Sequence, residues 1–221
     1  MPQEGWRPWH NAPVPADGPS GDRRARGSFL ESLGCALRGL RDSASHRNMR
    51  IQLVAGMLAG GFAAVAPLAP VERALILLCI FAVIGAEAAN TALEAAVDLH
   101  GGAPSEGARL AKDAAAGAVL ALAIGSVAVL AVVVEGHWHA LLAARSALAL
   151  PAAAALGVTV AGALLLGPGA RPGLLRPLAL GFGVGCWALL LGVAASRAGS
   201  VVPGLLLALS WAAGRGPTSS T

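Results

Sequence analysis

Long uncharged, mainly apolar runs dominate the chain. Ile51 to Val71 holds 21 residues without a charge, Ala114 to Val134 another 21, Ser146 to Ala170 25 and Pro177 to Ser196 20. A helix needs about 20 such residues to cross the hydrocarbon of a bilayer, so four spans follow. Ala198 to Gly214 holds 17 residues and contains Pro203, which predicts a short last span. Ala74 to Leu99 is broken by Glu87, Glu94 and Asp98. It is still expected to span, because the chain must recross between its neighbours.

Outside these runs the pattern changes twice. Residues 1 to 27 carry Pro2, Pro8, Pro13, Pro15 and Pro19 among glycines and charges, the composition of a disordered tail. No apolar stretch follows the first positive charge there, so no signal peptide is expected. Ser28 with Glu31 three residues on is a capping-box pattern. Phe29, Leu33, Ala36, Leu37 and Leu40 then recur at helical spacing beside Arg38 and Arg41. That pattern predicts an amphipathic helix on the membrane surface, or else a cytosolic helix packed on another element.

Composition narrows the class. Apolar residues make up 56% of the 221 and charged residues only 13%, about half the charge of an ordinary soluble domain. A disordered chain, a disulfide scaffold and a cytosolic enzyme are excluded. Charge placement then predicts orientation, since Arg and Lys concentrate in cytoplasmic loops. An N-terminus in the cytoplasm puts 13 of the 16 basic residues inside and leaves only Arg73, Arg145 and Arg197 outside. The Arg23, Arg24 and Arg26 cluster then serves topology and lipid headgroup contact, and no nucleic-acid partner is expected.

The most informative segment is Glu87-Ala-Ala-Asn90-Thr91-Ala-Leu-Glu94-Ala-Ala-Val-Asp98. At about 100° per residue its five polar side chains fall within roughly 100° of arc, on one face of a helix. Each acid costs about 2.5–3.5 kcal/mol at the centre of a membrane helix, and no basic residue within the spans is at hand to offset three. Three uses are open: helix-to-helix glue, a proton or cation pathway, or a site where carboxylates meet metal and phosphate near the inner interface. Glu87 lies about 16 Å along the helix from Asp98. A face running from a buried acid to a cytosolic one suits a water-soluble reactant meeting a lipid headgroup.

Positive charge follows in Arg109-Leu-Ala-Lys112-Asp113, at the mouth of the next run, and Lys112 is the only lysine. A lone Lys beside Asp in an arginine-rich chain suggests phosphate contact. A P-loop is excluded, because the glycine pattern is missing.

With Arg47-Asn-Met-Arg50-Ile-Gln-Leu before that face and Ala111-Lys112-Asp113-Ala-Ala-Ala-Gly117-Ala-Val-Leu120 after it, residues 28 to 134 resemble the prokaryotic diacylglycerol kinase and undecaprenol kinase family. These are small membrane enzymes that phosphorylate a lipid alcohol with ATP. The resemblance implies a three-span bundle with an amphipathic surface helix, assembled as a homotrimer with shared active sites. It implies Glu87 as the general base, Glu94 holding Mg²⁺ on the ATP phosphates, and Asn90, Glu94, Asp98, Lys112 and Asp113 as the ATP site. Arg38, Arg41, Arg50 and Gln52 would face the lipid.

Three departures stand out. His46 replaces the family's second metal-binding Glu, and Mg²⁺ prefers oxygen ligands; His46 is a candidate ligand and Asp42 the alternative. The loop from Gly101 to Ser105 lacks a Glu-Tyr-His nucleotide contact. Residues 135 to 221 have no counterpart.

That last region contains Glu135 and no acid after it. His137-Trp138-His139 is expected to anchor at an interface, since two His at i,i+2 point apart on a helix. Gly56 to Gly60 and Gly181 to Gly185 have the small-xxx-small spacing of close helix packing. Cys35, Cys79 and Cys186 are expected as packing residues without a disulfide. The expected architecture is all-α: a tail (1–27), a lipid kinase membrane domain (28–134), and two or three additional transmembrane helices (135–221). The expected activity is phosphorylation of undecaprenol or diacylglycerol at the bacterial inner membrane. Its alternative is a catalytically degenerate relative acting as a binding or scaffold module.

Overall fold

The computed structural model describes residues 29–99, 105–167 and 174–213. The tail to residue 27, the Ser28 capping box, most of the 101–105 loop, Arg171 and Arg215 lie outside the described residues. The described residues form seven helices: α1 (Phe29–Ser43), α2 (Arg47–Val65), α3 (Pro70–Leu99), α4 (Glu106–Ala143), α5 (Arg145–Leu166), α6 (Leu175–Val193) and α7 (Arg197–Ala213). Five of them, α2 to α6, are long and apolar enough to cross a membrane, and α7 is a shorter apolar helix. The chain divides into two compact units, 1–36 and 37–221; all packing described below lies within the second.

Helix ends follow local chemistry rather than the limits of the apolar runs. The run from Ile51 to Val71 contains a connection, because α2 stops at Val65 and Pro70 starts α3. Proline suits a first helical turn, where its missing N–H has no helical partner. Glu72 completes that start by accepting from the Ala69 N–H at 2.7 Å. The Arg73 guanidinium donates to the Ala63 carbonyl at 2.8 Å and the Ala66 carbonyl at 3.4 Å, placing a cation on the C-terminal carbonyls of α2. Ser105 caps α4 by accepting from the Ala108 N–H at 3.1 Å. That helix runs through Glu135 and His137 without a break to Ala143, well beyond its apolar run. Gly136 lies inside that stretch, and the helix continues through it.

The core is built around α2, which packs on α3, α5 and α7. Its Met49, Leu53, Met57 and Ala63 are fully buried. A helix surrounded on most sides can be apolar all round, and α2 is also rich in small residues. Between membrane helices, contact rests on close packing rather than on escape from water. Gly56 meets Leu206 and Ile80, Gly60 meets Pro203 and Val202, and the backbone at Ala63 and Ala64 abuts Gly199. These pairs set an antiparallel register between α2 and α7, in steps of one turn. Against α5, Gly61 meets Ala155 and Met57 lies over Gly162, again antiparallel.

Close packing at Gly56 and Gly60 matches the expected spacing, with α7 as partner. On α6 the expectation needs correction. Gly181 and Gly185 face open space, and the tight position is Gly183, against Ala161 and Leu207. The three glycines alternate, so Gly183 points away from the other two. Two polar ties secure α6 on α7: Trp187 Nε1 donates to the Ser200 carbonyl at 2.8 Å, and Arg176 donates to the Trp211 carbonyl at 3.0 Å. Cys186 packs on Gly157 and Cys79 is half-buried, whereas Cys35 is exposed and fills no interior position. Its place on the polar-flanked helix α1 explains the difference.

Candidate functional site

The polar face of α3 points inward. Glu87 and Asn90 are buried at 3% and 4% exposure, Thr91 and Glu94 are half-buried, and Asp98 is exposed. The stripe grades from interior to surface along the helix, while Ala89, Leu93 and Ala96 on the other side are exposed. Polar residues inside and apolar residues outside is the arrangement a bilayer demands.

Glu87 and Asn90 line a cleft of ≈ 180 Å³ with Asn48, Ile51 and Gln52 of α2 and Ala116, Val119, Leu120 and Ala123 of α4. Three polar elements meet there: a carboxyl group from α3, the Asn90 amide, and the amides of Asn48 and Gln52 spaced one turn apart. The α4 wall is wholly apolar. Asn90 Nδ2 donates to Glu94 Oε1 at 3.0 Å, and Thr91 Oγ1 donates to the Glu87 backbone carbonyl at 3.0 Å. Asn90 Oδ1 is buried without a hydrogen-bond partner in this structure, which normally costs about 1–3 kcal/mol.

At the exposed end, Lys112 Nζ lies 2.5 Å from Asp98 Oδ1 and ties α3 to α4. Asp98 therefore has a basic partner, supplied from the mouth of α4 rather than from within a span. Asp113 turns to Arg109 at 2.7 Å, and Arg109 also reaches Glu106 at 2.5 Å. Lys112 and Asp113 are adjacent in sequence but belong to two different ion-pair sets.

The remaining predicted residues are less gathered. His46 is exposed at the start of α2, where its side chain caps no N–H. Arg50 is half-buried on α2 and does not line the cleft. Arg38 is exposed, Arg41 is half-buried, and Arg41 Nε lies 4.0 Å from Asp42 Oδ1. Among the described residues no group of three or more His, Cys, Asp or Glu side chains could hold a metal. Mg²⁺ commonly uses only one or two carboxylates, completed by waters and phosphate oxygens. The Glu94 carboxylate beside the unpartnered Asn90 Oδ1 is a hard-oxygen donor set that fits such an ion. His137 Nε2 lies 3.4 Å from Glu72 Oε2 at the opposite end of α3, and its neighbour Trp138 is exposed.

Asn48 is the cleft residue that sequence reasoning missed. Its signal was available: Asn48 and Gln52 stand four apart and share a helix face.

Fold and site together define an all-α protein with several membrane-length helices and a carboxylate-bearing cleft between three of them. Residues 34–134 match the family profile described as prokaryotic diacylglycerol kinase. The chain thus carries a domain of this lipid-kinase family, whose members act on a membrane lipid alcohol. Neither a curated protein nor a solved structure matches the chain.

Proposed function

We propose that this protein transfers the γ-phosphoryl group of ATP to the hydroxyl of a membrane lipid alcohol, undecaprenol or diacylglycerol, at the cytoplasmic face of the bacterial inner membrane. The observation that carries the reading is a buried carboxyl group, Glu87, in a cleft with one apolar wall and three amide side chains. Such a cleft receives a polar headgroup on an apolar stem.

Glu87 takes the proton of the lipid hydroxyl as its oxygen bonds to the γ-phosphorus and the bond to ADP breaks. A base must lie within hydrogen-bond reach of the proton it removes; Asn48, Gln52 and Asn90 orient the headgroup for that contact. Phosphoryl transfer otherwise asks for positioning and charge neutralisation. Glu94 with Asn90 Oδ1 would hold Mg²⁺, which when bound neutralises phosphate charge. Lys112, Asp98 and Asp113 form the nucleotide side, with Lys112 leaving Asp98 for a phosphate oxygen. Arg38, Arg41, Arg50 and Gln52 meet the lipid. His46 stands near the start of α2 as a further ligand candidate, in the place of the family's carboxylate. As a homotrimer, the protein would associate through the outward faces of α3 and α4.

The decisive experiment is label transfer from ATP into extracted lipid alcohols by purified protein in mixed micelles. Glu87→Gln protein that folds and keeps full activity would overturn the role of Glu87. A second reading, a degenerate member acting as a binding or scaffold module, is favoured by His46, which stands exposed at the start of α2 where the family has a carboxylate. It requires ATP binding that is weak and indifferent to Mg²⁺, which calorimetry with and without the ion measures.

A further inference from the structure

A second cavity adjoins the Glu87 cleft. It measures ≈ 630 Å³ and runs between α2, α3, α4 and α5, within the range of about 300–1,000 Å³ typical of ligand sites. Gln52 and Ala123 line both cavities, so the two adjoin at that pair. From Gln52 the groove follows α2 as far as Ala66, about 20 Å at 1.5 Å per residue. That exceeds half the roughly 30 Å thickness of a bilayer's hydrocarbon.

The lining is apolar along this length. Its one hydroxyl, Ser126 Oγ, donates to the Leu122 carbonyl at 2.7 Å within its own helix. One wall comes from outside the kinase domain match: Leu148, Ala152 and Leu156 of α5, spaced four apart and so on one face. Other faces of α5 are committed to packing, Gly157 on Cys186 and Gly162 on Met57.

We infer that this groove holds the hydrocarbon chain of the lipid alcohol whose headgroup enters the Glu87 cleft, and that α5 sets how long a chain it accepts. The inference rests on the proposed kinase reading for its headgroup end. The occupant is a hydrocarbon chain because the groove's side chains are apolar apart from Gln52, the Ser126 hydroxyl bonded within its own helix and the weakly polar Cys79 thiol, and because the groove adjoins the polar cleft at its Gln52 end and lies at membrane depth. A residue added by the C-terminal extension thereby becomes a specificity determinant for the reaction.

The test uses the full-length protein and a series of isoprenoid alcohols of graded length, each also made with a diazirine at the chain terminus. In wild type, kcat/KM should rise with chain length until the groove is filled, and the diazirine should label α5 near Leu148, Ala152 and Leu156. Ala152→Trp should stop that rise at a shorter chain, leave short alcohols and the KM for ATP within about twofold of wild type, and cut the α5 label at least fivefold. Equal losses for every alcohol, or no change for any, overturn the inference. So does label on the outward faces of α3 and α4 that a diazirine phospholipid reproduces, which is the pattern of ordinary annular lipid. Because Ala152→Trp could disturb folding, Leu156→Ala is the companion variant: it enlarges the groove and should extend the chain length at which the rise ends. The photolabel separates the two readings. Saturable α5 labelling without phosphorylation of any alcohol leaves the groove standing and refutes the kinase; phosphorylation indifferent to chain length does the reverse.

Discussion

Replacing Lys112 with Met keeps an unbranched stem and removes one cation, and the structure separates two consequences of that loss. The first is structural. Lys112 and Asp98 join α4 to α3 through a 2.5 Å contact between side chains 35% and 69% exposed. Exposed pairs of this kind contribute about 0.2–1 kcal/mol, so Lys112→Met and Asp98→Asn should each lower stability by no more than about 1 kcal/mol, and the double variant by no more than either alone. The second is functional. A charge-assisted hydrogen bond to a phosphate oxygen contributes about 1.5–3 kcal/mol, equivalent to roughly 10- to 150-fold in affinity. Lys112→Met should therefore raise the KM for ATP at least tenfold. Asp98→Asn releases the ammonium group and should raise it far less. Stability would be read by denaturation in mixed micelles followed by circular dichroism, and KM by label transfer at saturating lipid. If the two single variants have equal effects on KM, or neither has any, Lys112 is only a staple between two helices and its place on the nucleotide side is refuted.

Other predictions follow from the same geometry. Glu87→Gln should lower kcat by about 10²–10⁴-fold, the usual contribution of a positioned base, while leaving the denaturation midpoint near that of wild type; single-turnover kinetics and the same unfolding assay check both halves. Gly199→Ala should destabilise, because the added Cβ would stand 2.9–3.0 Å from backbone atoms of Ala63 and Ala64. Overpacking of this kind costs about 1–3 kcal/mol, against a gain in helix propensity of about 1 kcal/mol at most. Gly85→Ala, with open space around its Cβ, should instead be neutral or stabilising by up to about 1 kcal/mol, so the two alanine variants should differ in sign. Trp187→Phe removes the donor to the Ser200 carbonyl and should cost about 0.5–1.5 kcal/mol, measured as the shift in unfolding midpoint.

What was legible in the sequence divides along a physical line. Element type and the inward polar face depend on composition and on the 3.6-residue period, both local properties, and the arc joining Glu87 to Asp98 emerged at the expected positions. Helix ends were less legible, since an uncharged run does not mark where backbone hydrogen bonding stops. Pro70 and the Glu72 cap interrupt one apolar run, while α4 continues past Glu135 because a charged side chain at an interface is no obstacle to a helix. Pair choice was least legible. Lys112 and Asp113 invited a joint role, yet successive helical residues diverge by about 100°, sending Lys112 to Asp98 on α3 and Asp113 back to Arg109 on its own helix. Which of Gly181, Gly183 and Gly185 would meet a neighbour depended on the orientation of α6, which α5 and α7 decide.

The appended helices also constrain how several copies could assemble. Active sites shared between copies, as proposed, would need exposed surface beside the site; α2 keeps the exposed stripe Asn48, Ile51, Ala55 and Leu58, but its faces toward α5 and α7 are closed. The backbone tie from Ser196 N–H to the Ala64 carbonyl, 3.1 Å, and the tight seat of Gly199 on Ala63 and Ala64 leave no room there for a second chain. Surface of the right kind also remains on α3 and α4, where Leu78, Phe81 and Ile124 are exposed and line neither the cleft nor the groove. A second copy docked on those faces would approach the Glu87 cleft from its α4 side, the wall that in one chain is wholly apolar. A donor set completed between copies would thus reach the cleft over that α4 wall or over the exposed α2 stripe, and in either case α5 would remain the wall of the lipid groove within each chain.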